Sequence, residues 1–99
     1  MLALETADAP AFKLLIGQSF LLRQDDGGIP LQLTEVRLLG HRRSDAGRDP
    51  FALTFLGPPG IRLPQGTYPL ENGASSVAGI FITQVGNGPT ASEFEAVFT

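Results

Sequence analysis

The chain has no cysteine, one histidine and one tyrosine among its 99 residues, and 17% of it is charged. Without cysteine there is no disulfide framework, no thiolate nucleophile and no zinc–thiolate site, a profile that suits the reducing cytoplasm. The amino-terminal stretch, MLALETADAP, carries Glu5 and Asp8 and lacks the basic start and apolar core of a secretory signal. A cytoplasmic protein without a signal peptide is therefore expected, free or incorporated into an assembly. Long apolar runs are also missing: the best stretch, residues 12–22, is cut by Lys13, Gly17, Gln18 and Ser19, whereas a membrane helix needs about 18 uninterrupted residues. Basic charge is scarce as well, and a formal net charge of −3 argues against nucleic acid, whose binding draws on phosphate neutralisation. No nucleic-acid or membrane partner is expected.

What is present is apolar residues, at 42% of the chain, enough for one core in a single small β domain covering residues 1–99. Residues 51–70, FALTFLGPPGIRLPQGTYPL, carry the clearest pattern. Phe51, Leu53 and Phe55 alternate with Ala52, Thr54 and Leu56, the period of a half-buried strand, and Pro58, Pro59, Gly60, Pro64 and Gly66 break the ladder. A second strand is predicted over residues 67–71, with Tyr68 and Leu70 on one face and Pro69 at an edge or a bulge.

The same reading extends along the chain. Thr6 or Asp8 can cap a helix over residues 9–16, with Pro10 in its first turn, Gly17 as its stop and an apolar stripe of Phe12, Leu15 and Ile16. A strand containing Phe20, Leu21 and Leu22 runs into Asp25-Asp26-Gly27-Gly28, a hairpin turn by composition. On the return strand Leu31 and Leu33 share one parity while Val36 and Leu38 take the other, which predicts a bulge near Thr34 and Glu35. Asn72-Gly73-Ala74-Ser75-Ser76 is turn chemistry. Residues 77–85 read as a strand apolar on both faces and hence central, and Phe94, Ala96 and Phe98 alternate inward on a last strand. The expected fold is mainly β: a small antiparallel barrel or sandwich of about six strands with one short N-terminal helix.

No catalytic constellation emerges. The lone histidine has no evident acidic orienter, none of the serines sits in a Gly-x-Ser-x-Gly elbow, and the glycine-rich segments lack the helix and lysine of a phosphate loop. Asp25 and Asp26 fall short of the roughly six oxygens a calcium loop supplies, and Glu93 with Glu95 reads as a solvent-facing strand face before it reads as an acid–base pair. Neither a cofactor nor a metal site is expected, and the protein is not expected to be an enzyme. The polar segment 41–49 gathers His41, Arg42, Arg43 and Arg48 and could grip a phosphate or carboxylate, with Arg62 as a further ligand-binding candidate. Asp45 and Asp49 among those arginines favour an ordinary solvated connection.

FALTFLGPPG at residues 51–60, LPQGTYPLEN at 63–72, and IFITQVG with the closing SEFEAVFT together resemble an uncharacterised bacterial family of short single-domain proteins. The matching residues include Phe51, Leu53, Phe55, Gly57, Pro58, Gln65, Gly66, Tyr68, Phe81, Val85, Gly86 and Glu95 through Phe98. Asn72 stands where that family's pattern has histidine, Gln84 where it has proline and Phe94 where it has tyrosine. A function resting on that histidine would be absent here. The resemblance carries no activity; association of the family with phage-tail-collar-like proteins implies an accessory role in a tail-like or surface appendage assembly. The expected function is a non-enzymatic structural or protein-interaction module, binding another protein or itself through strand edges or loops. The alternative is a small-ligand-binding β-barrel with a pocket between the Phe51, Phe55 and Phe81 faces.

Overall fold

The computed structural model describes residues 9–24, 27–40, 50–73 and 75–98. A short helix, α1 (Ala9–Lys13), precedes six strands: β1 (Ser19–Gln24), β2 (Gly27–Leu38), β3 (Phe51–Gly57), β4 (Gly66–Asn72), β5 (Ser75–Asn87) and β6 (Ser92–Phe98). They close into an antiparallel barrel in the order β1-β2-β3-β6-β5-β4, which decides between barrel and sandwich. Closure gives every strand a neighbour on each side, so no strand is left with a wholly free edge for self-association.

The wall follows the alternation. Phe51, Leu53 and Phe55 are fully buried, as are Phe94 and Ala96 on β6, while Leu56 and Val97 face outward. Phe20 and Leu22 on β1, Leu31 and Leu33 on β2, Leu70 on β4 and Ile82 on β5 complete an interior of interlocking side chains. Two predicted irregularities are present. Thr34 is the extra residue where the β2–β3 register shifts between Leu33 and Glu35, and its hydroxyl donates to the Thr54 carbonyl at 3.2 Å. The parity switch follows: Val36 packs against the core, and Leu38, at the strand's end, is exposed. Pro69 sits opposite a second bulge, between the pairs Tyr68↔Ile80 and Leu70↔Val77. There its missing N–H removes a ladder bond where the ladder is already broken.

Three expectations are corrected. The helix stops at Lys13 instead of continuing to Ile16, because tighter bonds from Leu15 N–H to the Phe12 carbonyl and from Gln18 N–H to the Leu15 carbonyl wind the chain into turns. Gly17, at φ 93°, then turns toward β2, where its N–H donates to the Leu33 carbonyl at 2.7 Å. Ile16 is left 45% exposed, so the apolar stripe reduces to Phe12 with the half-buried Leu15. Strand β5 is apolar on both faces but buried on only one: Ile80 and Ile82 point inward, Phe81 is 50% exposed, and Val85 is the extra residue of a third bulge. Of the expected Asn72–Ser76 turn, Ser75 and Ser76 belong to the ladder, paired with Asn72 and Glu71, and Gly73 keeps a turn conformation; Ala74, like the helix-cap candidates Thr6 and Asp8, lies outside the described residues. Gly27 and Gly28 likewise belong to β2; Asp25 and Asp26 lie outside the described residues.

The two poles are closed differently. At one, α1 inserts Phe12 against Phe51 and Phe98, with ring centroids 5.7 and 5.5 Å away, and Phe51 stacks on Phe98 at 4.9 Å. At the other, the connection between β3 and β4 crosses over the ends of β6 and β5 and tucks in Leu63, 6% exposed.

Candidate functional site

The crossover from β3 to β4 follows from its sequence. Pro58 and Pro59 cannot donate to a ladder, Gly60 takes φ 81°, and Ile61-Arg62-Leu63 then follows outside any strand. Ile61 packs against the core and Leu63 is buried in it, so the residue between them, Arg62, projects into solvent. The crossover is tied to β5 by side chains. Gln84 Oε1 accepts from the Leu63 N–H at 2.8 Å, and Gln84 Nε2 donates to the Ile61 carbonyl at 2.8 Å and the Gly86 carbonyl at 3.2 Å. Asn87 Oδ1 accepts from the Gly60 N–H and from the Ser92 hydroxyl, each at 3.3 Å, and Tyr68 donates its hydroxyl proton to the Pro64 carbonyl at 2.5 Å.

Between crossover and β5 lies an open cleft of about 500 Å³, lined by Arg62, Leu63, Pro64, Gln84, Gly86 and Asn87. Its lining holds a guanidinium, two carboxamides and apolar atoms, with no nucleophile and no group that takes up a proton near neutrality. Such a lining can bind and orient a group through hydrogen bonds and charge.

Of the predicted ligand candidates, Arg62 is in this cleft. His41, Arg42, Arg43 and Arg48 fall in residues 41–49, outside the described residues. The strand ends that flank that segment, Leu38 and Phe51, pair at the helix-closed pole, opposite the cleft. Neither Gln84 nor Asn87 was among the binding candidates read from the sequence, Gln84 standing out only as a departure from the family pattern. The available signal was a carboxamide inside an otherwise branched, apolar run, at the very position where the family pattern has proline. The other departures are structural too: Asn72 Nδ2 donates to the Ser19 carbonyl at 2.8 Å across the β1–β4 seam, and Phe94 is fully buried.

Among the described residues, two ion pairs stand outside the cleft. Arg37 reaches Glu95 at 3.2 Å across β3, so that carboxylate has a cationic partner. Arg23 forks onto Glu71 at 2.8 and 3.3 Å, beside the short Leu21↔Glu71 and Leu22↔Leu70 ladder that closes the barrel. The hydrogen bond from Arg23, reinforced by its charge, holds the Glu71 carboxyl below the usual carboxylate range, and the same bond raises Arg23. Because the folded form favours the carboxylate, the contribution of this pair is present above the ordinary carboxyl pKa and lost as pH falls through the lower folded value. Both side chains are solvent-exposed, so its size is small. The melting temperature of Glu71→Gln is expected slightly below wild type at neutral pH, with the gap closing in acid; a gap that widens in acid contradicts the assignment.

Among the described residues no group of three or more His, Asp or Glu is placed to hold a metal ion, and no helix is long and apolar enough to cross a membrane. The fold and cleft together define a small closed β-barrel with a solvent-open surface site. Residues 7–98 match the family model described as domain of unknown function DUF6916, and the chain belongs to that family. No curated protein and no solved structure matches the chain.

Proposed function

We propose that this protein is a non-enzymatic structural or protein-interaction module that engages a partner protein through the outside of its barrel. The observation that carries the reading is how the interior is used. Phe20, Phe55, Phe94, Leu22, Leu31, Leu33, Leu53 and Ile82 fill it with their own side chains, the expected state of a six-stranded barrel. The aromatic pocket of the small-ligand alternative is not supported, since Phe51 and Phe55 are packed in the core while Phe81 stands outside. What a ligand can reach is the cleft at the crossover pole, whose lining suits recognition. The family resemblance implies the setting, an accessory role in a tail-like or surface appendage assembly.

The test is capture of the tagged protein, expressed at its natural level in its own host, with mass-spectrometric identification of what accompanies it. A single reproducible protein in near-stoichiometric amount is expected. A strictly monomeric protein with no reproducible companion overturns the reading.

A further inference from the structure

Three features outside the packed interior offer chemistry: the exposed Phe81 and Val97 on the barrel wall, the seam pair Arg23–Glu71, and the Arg62 cleft. The wall residues have nothing that says what covers them, and the seam pair is satisfied internally. The cleft carries more. We propose that it is a recognition pocket for a side-chain carboxylate presented on an extended, otherwise uncharged segment of a partner protein. This rests on the interaction-module reading and names the chemistry of the contact.

The argument begins with uncommitted donors. Arg23 and Arg37 are engaged by Glu71 and Glu95, whereas Arg62 has no hydrogen-bond or ion-pair partner among the described residues. Its position is nonetheless set, because Ile61 and Leu63 on either side are anchored in the core and tied through Gln84. Asn87 contributes the second donor. Its Oδ1 is held by the Gly60 N–H and the Ser92 hydroxyl, which fixes the orientation of the amide and leaves the Nδ2 protons without a described acceptor. A planar guanidinium fork and a fixed amide on the walls of one cleft match an anionic, planar group with paired oxygens.

Charge selects among anions. The Glu93 side chain lies against Gly86, at the edge of the lining, and the chain carries a net charge of −3. The positive charge of Arg62 is largely offset by that carboxylate, so the cleft disfavours multiply charged anions and a carboxylate is favoured over a phosphate dianion. Shape selects the carrier. The cleft is open to solvent on one side and cannot bury most of a small molecule's surface, but it can receive a group that protrudes from a larger body. Exposed Pro64 offers an apolar rim for the aliphatic stem of a glutamate.

The experiment follows amide and side-chain NMR signals of the isotope-labelled protein during titration with the capped peptide acetyl-Leu-Glu-Leu-amide. Shifts are expected at the Arg62 Nε–H, the Asn87 side-chain amide and the Gly86 backbone amide. Arg62→Gln is expected to weaken binding about 3- to 5-fold, the scale of one solvent-exposed charge pair. Glu93→Gln, by removing a like charge, is expected to strengthen it about 1.5- to 2-fold. Arg62 and Glu93 are exposed, and unchanged melting temperatures verify that both variants fold. The pocket is overturned if acetyl-Leu-Gln-Leu-amide binds equally well, if inorganic phosphate binds more tightly than the glutamate peptide, or if Arg62→Gln changes nothing. A host partner captured equally by wild type and Arg62→Gln overturns the pocket while the interaction module stands. Arg62-dependent peptide binding at the cleft, with no partner found in the host, supports the carboxylate chemistry of the cleft and overturns the module, and with it the partner protein as carrier.

Discussion

Phe55→Ala is expected to destabilise the protein by about 3–5 kcal/mol, the cost of losing a fully buried aromatic side chain and leaving a cavity behind. Phe55 is 0% exposed, pairs with Leu33 on one neighbouring strand and Phe94 on the other, and meets Phe20 edge-on with centroids 5.4 Å apart. These neighbours come from three other strands of a closed wall, β1, β2 and β6, and closure limits how far that wall can relax into the vacated space. A domain of this size has about 5–15 kcal/mol of stability in total, so the variant is left marginal. At roughly 4 °C or more per kcal/mol, the midpoint of thermal unfolding should fall by about 12 °C or more. Chemical denaturation measures the loss directly. A change under about 1 kcal/mol would mean that Phe55 does not face the interior.

Gln84→Ala is expected to cost about 2 kcal/mol, although the residue is only partly buried. The side chain satisfies the Leu63 N–H and the Ile61 carbonyl, both in a segment without strand partners of its own. Removing it strands backbone groups whose replacement partner can only be water entering beside the buried Leu63. The distinguishing measurement is hydrogen exchange: the Leu63 amide should lose protection while amides in β3 and β6 keep theirs relative to global unfolding. Gln84→Glu retains an acceptor for Leu63 but no donor for Ile61, and should fall between alanine and wild type. Unaltered protection at Leu63 would show that the crossover is held by Leu63 burial alone.

These two residues divide what could be read in the sequence from what could not. Phe55 was legible because strand parity is local: Phe51, Leu53 and Phe55 against Ala52, Thr54 and Leu56 leaves one assignment that buries the aromatics. The bulges at Thr34 and Pro69 were legible for the same reason, one as a break in parity and the other as a missing donor. Gln84 was not, because its partners lie in the crossover, 21 and 23 residues earlier in the chain. Phe81 failed for a related reason. In a run apolar at both parities the local pattern is degenerate, and the pairing of Ile82 with Ala96 settles which face is inside.

The cleft was legible to the extent of one residue. Arg62 could be named as a cation in an extended stretch, but its neighbours Gly86 and Asn87 come from the far end of β5, and His41, Arg42, Arg43 and Arg48 fall outside the described residues. No local signal marks an asparagine whose amide is fixed by a glycine 27 residues away.

By itself, then, the sequence determined the strands, the inward faces of all but the doubly apolar β5, and two of the bulges, since each depends on steric and solvation preferences that act within a few residues. The tertiary structure decided that the sheet closes, through β1–β4 pairs such as Leu21 with Glu71, and that the crossover lies over β5 to form the cleft. Those outcomes depend on contacts between residues far apart in the chain, whose free energy is set by what the whole barrel buries when it closes.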